Sequence, residues 1–165
     1  MKKDLIIYGS IIIGIVLFRT FLFTPVRVNG LSMYSTLNNG EIMILNKINY
    51  KFNDIKRGDI VVVKTKDDKI IKRVIGLPGE TLKIENNTLY INGKARKEKY
   101  VYENTSDFNL KDLGYERIPK NCYFVMGDNR NNSADSRFIG CVNKKQIEGR
   151  TKLVIFPFKV AGTRK

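Results

Sequence analysis

Short runs of residues that favour β-strands dominate the chain beyond position 23. The runs are rich in Val, Ile, Tyr and Phe, and Gly, Asn, Asp or Pro separate them, as is typical of strands joined by tight turns. They span Glu41–Leu45, Ile60–Lys64, Ile70–Ile75, Thr81–Ile84, Thr88–Ile91, Cys122–Met126 and Lys152–Phe156. No long stretch in this part has the 3.6-residue apolar spacing of a helix. The pattern predicts an all-β domain of folded-sheet or barrel type.

The same part of the chain has few signals for helices and is expected to form one domain. Residues 111–114 and 143–148 leave room only for short helical turns, and Asn92-Gly93 is a typical hairpin turn. Residues 94–118 are the most polar segment and are expected to form a surface excursion. Since domains commonly contain roughly 100–200 residues, residues 24–165 are expected to fold as a single domain.

The N-terminal stretch 5–23, LIIYGSIIIGIVLFRTFLF, is almost entirely apolar. A helix of this length reaches ~28 Å, close to the ~30 Å hydrocarbon core of a bilayer. No small-x-small cleavage pattern follows, which argues against a cleaved signal peptide, and a buried core helix is the remaining alternative. We therefore expect one N-terminal transmembrane helix. Lys2 and Lys3 favour a cytoplasmic position for residues 1–4, which would leave residues 24–165 on the extracytoplasmic face.

The net charge and the missing residue types restrict the function. The 165-residue chain has a formal net charge of +14, which is typical either of nucleic-acid binding or of a position beside an anionic membrane or wall. The expected extracytoplasmic location argues against nucleic acid. The chain has no histidine and two cysteines. Neither a metal site nor a cofactor is therefore expected, and a nucleophile would need a base other than histidine.

Two residues are candidates for nucleophilic chemistry without histidine. Ser32 follows residue 23 by nine positions, and Gly30 before it permits a sharp turn. The alternative is a loop serine that bonds to its own backbone. Lys72 shares one face of a predicted strand with Ile70 and Val74, an apolar setting that lowers the pKa of an amine and lets it act as a base. Most strand lysines instead extend the amine into water, and that alternative stays open.

A polar loop follows the predicted strand Cys122–Met126. Residues 127–137, GDNRNNSADSR, contain two Asp-x-Arg units and several side chains that commonly bond to backbone groups. A calcium loop is disfavoured because Arg130 stands two residues after Asp128, where a ligand would be needed. The residues alone leave open whether this segment is a functional loop or a rigid turn.

Taken together, four stretches resemble the bacterial type I signal peptidases, which are membrane-anchored serine proteases with a Ser/Lys dyad. The stretches are RTFLFTPVRVNGLSMYSTL, RGDIVVVK, KRVIGLPGE and MGDNRNNSADSRFIG, and the match covers essentially the whole chain. The resemblance implies that Ser32 is the nucleophile and Lys72 the general base. It also implies an acyl-enzyme and cleavage after a small-x-small motif, which removes signal peptides from secretory preproteins.

The resemblance assigns further roles around this dyad. In the last stretch, Ser133 would orient the lysine amine. Asp135 and Arg137 would form a supporting ion pair, and Asp128 and Arg130 would belong to the same loop. The backbone N–H groups of Ser32 and Gly30 would hold the oxyanion. Leu31 and Met33 are expected to line the shallow pockets that accept small substrate side chains.

Two positions depart from the family pattern. Ser35 stands where the family usually has proline, and loss of the fixed φ of proline would loosen the loop that presents Ser32. Gly30 lacks the hydroxyl that supplies an oxyanion donor in some members. Only backbone or water is therefore left for that second donor.

Cys122 and Cys141 flank the last of the four stretches. If the strands around it pair antiparallel, the two residues would face each other and form a disulfide, which an extracytoplasmic location allows. Two reduced, buried cysteines are the alternative, because the sequence does not define the strand register.

The partners implied by the resemblance are secretory preproteins, the lipid bilayer and a nearby secretion translocon, with no nucleic acid. One alternative is a catalytically weak or inactive membrane-anchored relative that acts as a binding module. A soluble self-cleaving protease of the repressor type would also use serine and lysine. It would carry a DNA-binding domain, for which the chain has no room beside the expected anchor.

Overall fold

The computed structural model describes residues 2–47 and 54–164, and for residues 2 and 15–22 it describes the backbone alone. Residues 1, 48–53 and 165, which the predicted segments 1–4 and 24–165 include, lie outside the described residues. The described part contains the long helix α1 (Lys2–Leu22) and the one-turn helix α2 (Ser136–Ile139). The strands are β1 (Phe23–Arg27), β2 (Ile42–Asn46), β3 (Ile60–Lys64), β4 (Lys69–Gly76), β5 (Leu82–Glu85), β6 (Thr88–Ile91), β7 (Lys94–Arg96), β8 (Phe108–Asn109), β9 (Cys122–Met126), β10 (Val142–Asn143), β11 (Ile147–Phe156) and β12 (Gly162–Thr163).

Two antiparallel sheets form the domain. The larger sheet follows the order β1-β2-β11-β3-β4-β9-β10, and β12 also pairs with β11. The smaller sheet follows the order β7-β6-β5-β8. The prediction of a mainly β domain is confirmed. Among the described residues, β1 and β10 lie at the two ends of the larger sheet, which is therefore open.

Strands β3 and β4 lie near the centre of the larger sheet and are covered on both faces. Ile60 and Val62 of β3 pack into one apolar cluster, and Val61 and Val63 pack into another. A strand that is buried on both faces has a continuous apolar run instead of an alternating pattern. Strand β4 is buried in the same way from Ile71 to Gly76. A charged residue in this part of β4 is therefore held away from water on either face.

The smaller sheet has an apolar cluster of its own. Alternate residues of β5 and β6 are buried in it, together with Phe124 of β9. Segment 94–118, expected as a surface excursion, supplies β7 and β8, and its Leu110 and Ile118 are buried in the same cluster. Segment 94–118 is therefore attached to the smaller sheet by a few apolar residues. Its mainly polar composition does not indicate this attachment.

The observed strands extend beyond the predicted runs at several places, and the two longest additions are β1 and the first half of β11. Strand β1 pairs with β2 although it contains Pro25, which is tolerated because β1 is an edge strand. Strand β11 begins at Ile147, ahead of the predicted start at Lys152. In this extension the half-buried Glu148 and Arg150 alternate with buried residues. Because these two residues are charged, the sequence pattern does not indicate a strand here.

Helix α1 occupies most of the stretch that was expected to cross a membrane. Within the described residues, no helix has both the length and the apolar character that a membrane crossing requires. Helix α1 ends at Leu22 and β1 begins at Phe23. The helix therefore leads directly into the edge strand of the larger sheet.

A disulfide joins Cys122 to Cys141, whose Cα atoms are 5.7 Å apart. Cys122 is the first residue of β9, and Cys141 directly precedes β10, which pairs antiparallel with β9. The bond thus closes the polar loop 127–137 at its base. A covalent bond across such a loop lowers the entropy of the unfolded chain and so stabilises the folded state.

Removal of the disulfide is expected to destabilise the domain. The bonded cysteines are 19 positions apart, and loop closure of this size contributes about 3 kcal/mol. The double variant Cys122→Ser/Cys141→Ser should lose about that much free energy of unfolding, measured by urea titration in detergent. Dithiothreitol should lower the stability of the wild type and leave that of the variant unchanged. Equal stability of both proteins with and without reductant would contradict a stabilising bond.

Candidate active site

The loop after β1 presents Ser32 to a lysine of β4. Gly30 has a φ of +87°, which lies in the left-handed region that glycine adopts without strain. Beyond this turn, the Oγ of Ser32 lies 2.6 Å from the Nζ of Lys72. The structure therefore brings together the serine and the lysine that the sequence singles out, although 40 positions separate them.

Burial changes the acid–base chemistry of Lys72. The residue is 3 % exposed, and desolvation lowers its pKa from 10.5 to about 8. The carboxylates of Asp135 and Asp128 oppose this effect because they favour the ammonium form, whereas Arg137 adds to it. The amine therefore becomes neutral at mildly alkaline pH, which an exposed lysine does not.

The polar loop 127–137 is ordered around an ion pair between Asp135 and Arg137. Nε and Nη2 of Arg137 donate to the two carboxylate oxygens, each at 2.9 Å, in a bidentate arrangement. The carboxylate also accepts the N–H of Gly127 at 3.0 Å and caps α2 by accepting the N–H of Arg137 at 3.2 Å. The ion pair therefore fixes both ends of the loop.

Gly127 brings this loop into contact with the loop that carries the serine. A Cβ at position 127 would overlap both the hydroxyl of Ser133 and the carbonyl oxygen of Ser32. The N–H of Asn129 donates to the same carbonyl at 3.0 Å. The two loops thus meet through backbone atoms at a place where no side chain fits.

Ser133 lies at this contact without a hydrogen bond to the lysine. Its Oγ is buried and has no hydrogen-bond partner in the part of the chain that the structure describes. The expected bond between Ser133 and the Nζ of Lys72 is therefore not formed in this structure. A buried hydroxyl that lacks a partner is unfavourable by about 1–3 kcal/mol, which favours a rotation that brings it a partner.

Asp128 pairs with Arg73 rather than with its neighbour Arg130. Nε and Nη2 of Arg73 donate to the carboxylate of Asp128 at 2.8 and 2.7 Å. Both side chains are almost completely buried, at 1 % and 0 % exposure. Strand periodicity places Arg73 on the face opposite Lys72 and assigns it no role. Burial of both faces of β4 is the feature that would have indicated the role of Arg73. An arginine in a strand that is buried on both faces requires a carboxylate partner.

Arg130 finds its carboxylate in the segment 94–118. Its Nη2 donates to Glu98 at 2.6 Å and its Nε to the carbonyl of Gly127 at 3.0 Å. The carbonyl oxygen of Arg130 accepts from Nη2 of Arg137 at 2.5 Å. Arg130 therefore links the polar loop to the smaller sheet, a connection that spacing in the sequence does not reveal.

The residues expected to contact the oxyanion and the substrate differ in accessibility. The N–H of Gly30 donates to Oδ1 of Asn39 at 2.9 Å, whereas the N–H of Ser32 has no acceptor among the described residues. Leu31 is 50 % exposed, but Met33 is 1 % exposed and packs in the core cluster. In this structure Ser32 and Leu31 are open to a ligand. The expected contacts of Gly30 and Met33 would require the loop to rearrange.

The arrangement can support nucleophilic chemistry by proton transfer. A neutral amine within hydrogen-bond distance of a hydroxyl can take its proton as the oxygen attacks a carbonyl carbon. Among residues 2–47 and 54–164, no group of three or more acidic or cysteine side chains is placed to hold a metal ion.

Comparison with known proteins gives consistent matches over most of the chain. A family model described as "Signal peptidase, peptidase S26" matches residues 2–156. "Signal peptidase I P" of Bacillus subtilis subsp. natto is 48% identical over an alignment of 155 positions, gaps included, that covers 88% of this chain and 84% of the relative. "Signal peptidase I S" of Bacillus subtilis (strain 168) is 43% identical over an alignment of 169 positions, gaps included, that covers 95% of this chain and 92% of the relative.

A solved structure extends the similarity to the fold. The crystal structure of a signal peptidase I from Enterococcus faecalis V583 is similar to this structure with a TM-score of 0.56 and 37% sequence identity. The similarity covers 59% of this chain and 97% of that chain. Since the family model and the curated relatives span most of the sequence, the chain belongs to the signal peptidase family, peptidase S26.

Proposed function

We propose that this chain is a type I signal peptidase, a serine endopeptidase that removes signal peptides from secretory preproteins. The observation that carries the proposal is the 2.6 Å contact between Oγ of Ser32 and Nζ of Lys72. A serine hydroxyl is a weak nucleophile at neutral pH and needs a base. In a chain without histidine, a buried lysine with a pKa lowered to about 8 meets that need.

In the proposed mechanism Lys72 acts first as a base and then as an acid. The neutral amine takes the hydroxyl proton of Ser32 as Oγ attacks the scissile carbonyl carbon. The ammonium then donates this proton to the leaving amine as the C–N bond breaks, which leaves an acyl ester on Ser32. The neutral amine next takes a proton from water as the water oxygen attacks the ester carbonyl carbon. The bond between that carbon and Oγ then breaks, the ammonium returns the proton to Oγ of Ser32, and the acid is released.

Backbone donors are proposed to stabilise the oxyanion of the tetrahedral intermediates. The N–H of Ser32 has no acceptor among the described residues, which supports its use as a donor. The N–H of Gly30 donates to Asn39, so it would become the second donor only when that side chain moves. Gly30 itself offers no side-chain hydroxyl for this purpose.

The polar loop is proposed to hold the lysine in position. The bidentate pair of Asp135 and Arg137 supports the loop backbone, and Arg73 neutralises Asp128. The unpaired hydroxyl of Ser133 is available to bond to the ammonium form of Lys72 after a rotation about its side-chain bond. Such a bond would keep the amine directed toward Ser32 between the two proton transfers.

An extended peptide is proposed to bind along β1. This strand ends the larger sheet and leads through Gly30 to Ser32, so its outer edge offers backbone groups to another strand. A cleft of about 550 Å³ is lined by residues from 24–29 and 64–69. The small side chains of a small-x-small motif would enter shallow pockets beside this edge, and the exposed Leu31 would border them.

The N-terminal stretch is proposed to anchor the enzyme in the cell membrane. Residues 5–23 are nearly all apolar and long enough for a hydrocarbon core of ~30 Å. Residues 1–4 would be cytoplasmic and the catalytic domain extracytoplasmic, near the secretion translocon. The disulfide supports this location because such bonds persist in oxidising compartments.

A catalytically inactive binding module is the less favoured alternative. It would need neither a serine and a lysine within hydrogen-bond distance nor an amine with a lowered pKa. Ser35, which replaces the usual proline, lies in the loop after the nucleophile and does not prevent the contact between Ser32 and Lys72.

Loss of either dyad residue is expected to abolish cleavage of a preprotein by the detergent-solubilised chain. Ser32→Ala removes the nucleophile, and Lys72→Met removes the base while keeping a side chain of similar length. Each should lower kcat/KM by at least about 1,000-fold, because the two groups act as a unit. Ser106→Ala and Lys120→Met, both at exposed positions, are the matched controls and should retain activity. Residual cleavage close to wild type in either dyad variant would contradict the mechanism.

The rate should depend on pH through the lysine. Since only the neutral amine is a base, and since its pKa is lowered to about 8, kcat/KM should rise with pH up to about 8 and then level off. Below this midpoint the slope should approach a tenfold change per pH unit. Initial rates from about pH 6 to 10 on one preprotein measure the profile. A rate that is flat across the same range would exclude a lysine base.

Membrane attachment is expected to depend on the apolar face of residues 5–23. The double variant Ile12→Lys/Ile13→Lys introduces two charges at a cost of about 2.5–3.5 kcal/mol each for a membrane-centred position. Wild-type protein should stay in the membrane pellet after alkaline carbonate washing and should dissolve in detergent, whereas the variant should be released. Ile12→Leu/Ile13→Leu serves as the control. Release of the wild type by salt or carbonate alone would contradict an anchor.

A further inference from the structure

The segment between β7 and β8, residues 97–107, contains no helix or strand. Both neighbouring strands belong to the smaller sheet, yet its central residues contact parts of the larger sheet around the dyad. We name residues 98–105 the strap.

The first contact of the strap is made by Tyr100. Its ring lies against the guanidinium of Arg73, with 4.1 Å between Cζ and the ring centroid. Arg73 is the residue that pairs with Asp128 inside the fold. The ring thus covers the buried ion pair and adds a cation–π contact to it.

The Tyr100 hydroxyl is tied to the strap itself. It donates to Oε1 of Glu98 at 2.9 Å. Burial, together with the charge of Glu98, raises the pKa of this hydroxyl well above its usual value, so it stays protonated and remains a donor. The ring is therefore held by two contacts, the cation–π contact with Arg73 and the hydrogen bond from its hydroxyl to Glu98.

The second contact joins the strap to the polar loop 127–137. Oε1 of Glu98 also accepts from Nη2 of Arg130 at 2.6 Å, and the hydroxyl of Thr105 accepts from Nη1 at 3.3 Å. The Arg130 side chain is completely buried. A buried guanidinium needs these acceptors, so both ends of the strap are held to the loop by one residue.

The third contact reaches the nucleophile loop. The N–H of Tyr102 donates to the carbonyl of Asp128 at 3.2 Å. The Tyr102 ring packs edge-to-face on Tyr34, with 4.6 Å between centroids. Tyr34 follows Ser32 by two positions. The strap therefore touches the surroundings of both dyad residues.

We propose that the strap is a positioning element for the dyad, in which Tyr100 holds Arg73 on Asp128 and so keeps β4, which carries Lys72, fixed against the polar loop that contacts the Ser32 carbonyl. Tyr100 acts through Arg73 and does not contact the reacting atoms. The inference rests on the proposed function, because it concerns the base of that mechanism.

The charged groups around Lys72 determine what a loosened strap would change. Asp135 and Asp128 favour the ammonium form, Arg137 opposes it, and desolvation is the largest effect on the amine. Loss of the Tyr100 ring would admit water to the ion pair and weaken the hold of Arg73 on Asp128. An Asp128 carboxylate that Arg73 neutralises less favours the ammonium form of Lys72, so the pKa of Lys72 should rise.

Leucine and phenylalanine substitutions at Tyr100 separate positioning from simple stability. In Tyr100→Leu the midpoint of kcat/KM against pH should move up by about one unit, and the rate near pH 7 should fall about tenfold. Tyr100→Phe keeps the ring on Arg73 and should return the midpoint to that of the wild type. Tyr90→Leu, at a half-buried tyrosine in β6 of the smaller sheet, is the matched control and should not move it. All rates are measured on the full chain in detergent with one preprotein.

A second variant keeps the proposal testable if Tyr100→Leu does not fold. Tyr102 is 48 % exposed, so Tyr102→Leu should fold and lose only the ring contact with Tyr34. It should lower kcat several-fold with little change in KM. Wild-type pH midpoints in Tyr100→Leu, or wild-type kcat in Tyr102→Leu, would overturn the positioning role while leaving the proposed function intact. A wild-type chain that cleaves no preprotein would instead overturn the proposed function and the positioning role with it.

Discussion

Two neighbouring residues of β4, Lys72 and Arg73, bring basic groups into an interior that bulk water does not reach. A guanidinium does not lose its proton in a protein, so Arg73 stays charged and requires the carboxylate of Asp128. An amine can lose its proton, and burial drives Lys72 toward the neutral form. The same burial thus makes Arg73 a cross-link between β4 and the polar loop, and it suits Lys72 to the proposed role of a base. Loss of one partner of the ion pair would leave a buried charge uncompensated, at about 3–5 kcal/mol.

The lowered pKa of Lys72 reduces the stability of the folded chain. The pKa of Lys72 is 10.5 in the unfolded chain and about 8 in the folded one. Between these values the unfolded chain binds more protons than the folded chain, so stability increases with pH across that window. Below about pH 8 the full destabilisation is present, on the order of 3 kcal/mol. The disulfide acts in the opposite direction, and it closes the polar loop beside the same site.

Local sequence patterns predict the strands better than the contacts between them. The seven predicted runs overlap seven of the observed strands because β-branched and aromatic residues suit a buried sheet. Strand β1 is missed because Pro25 ends a helical pattern, and tolerance of proline depends on a sheet position that the sequence does not state. Strand periodicity is enough to single out Lys72, but the partner of Asp128 lies 55 positions away. The role of the N-terminal stretch in the membrane stays a prediction.

The close approach at Gly127 has a consequence for how the site can move. At Gly127 the Ser32 carbonyl and the Ser133 hydroxyl occupy the place where a Cβ would lie. The Ser32 loop and the polar loop 127–137 therefore meet at a seam, a contact that has no room for a further side chain. Any fluctuation that carries the nucleophile away from the amine must open that seam and break the hydrogen bond from Asn129 to the Ser32 carbonyl. Because Asp128 of the polar loop is also bonded to Arg73, the neighbour of Lys72 in β4, Ser32 and Lys72 are expected to fluctuate together as one body, even though they belong to distant parts of the chain.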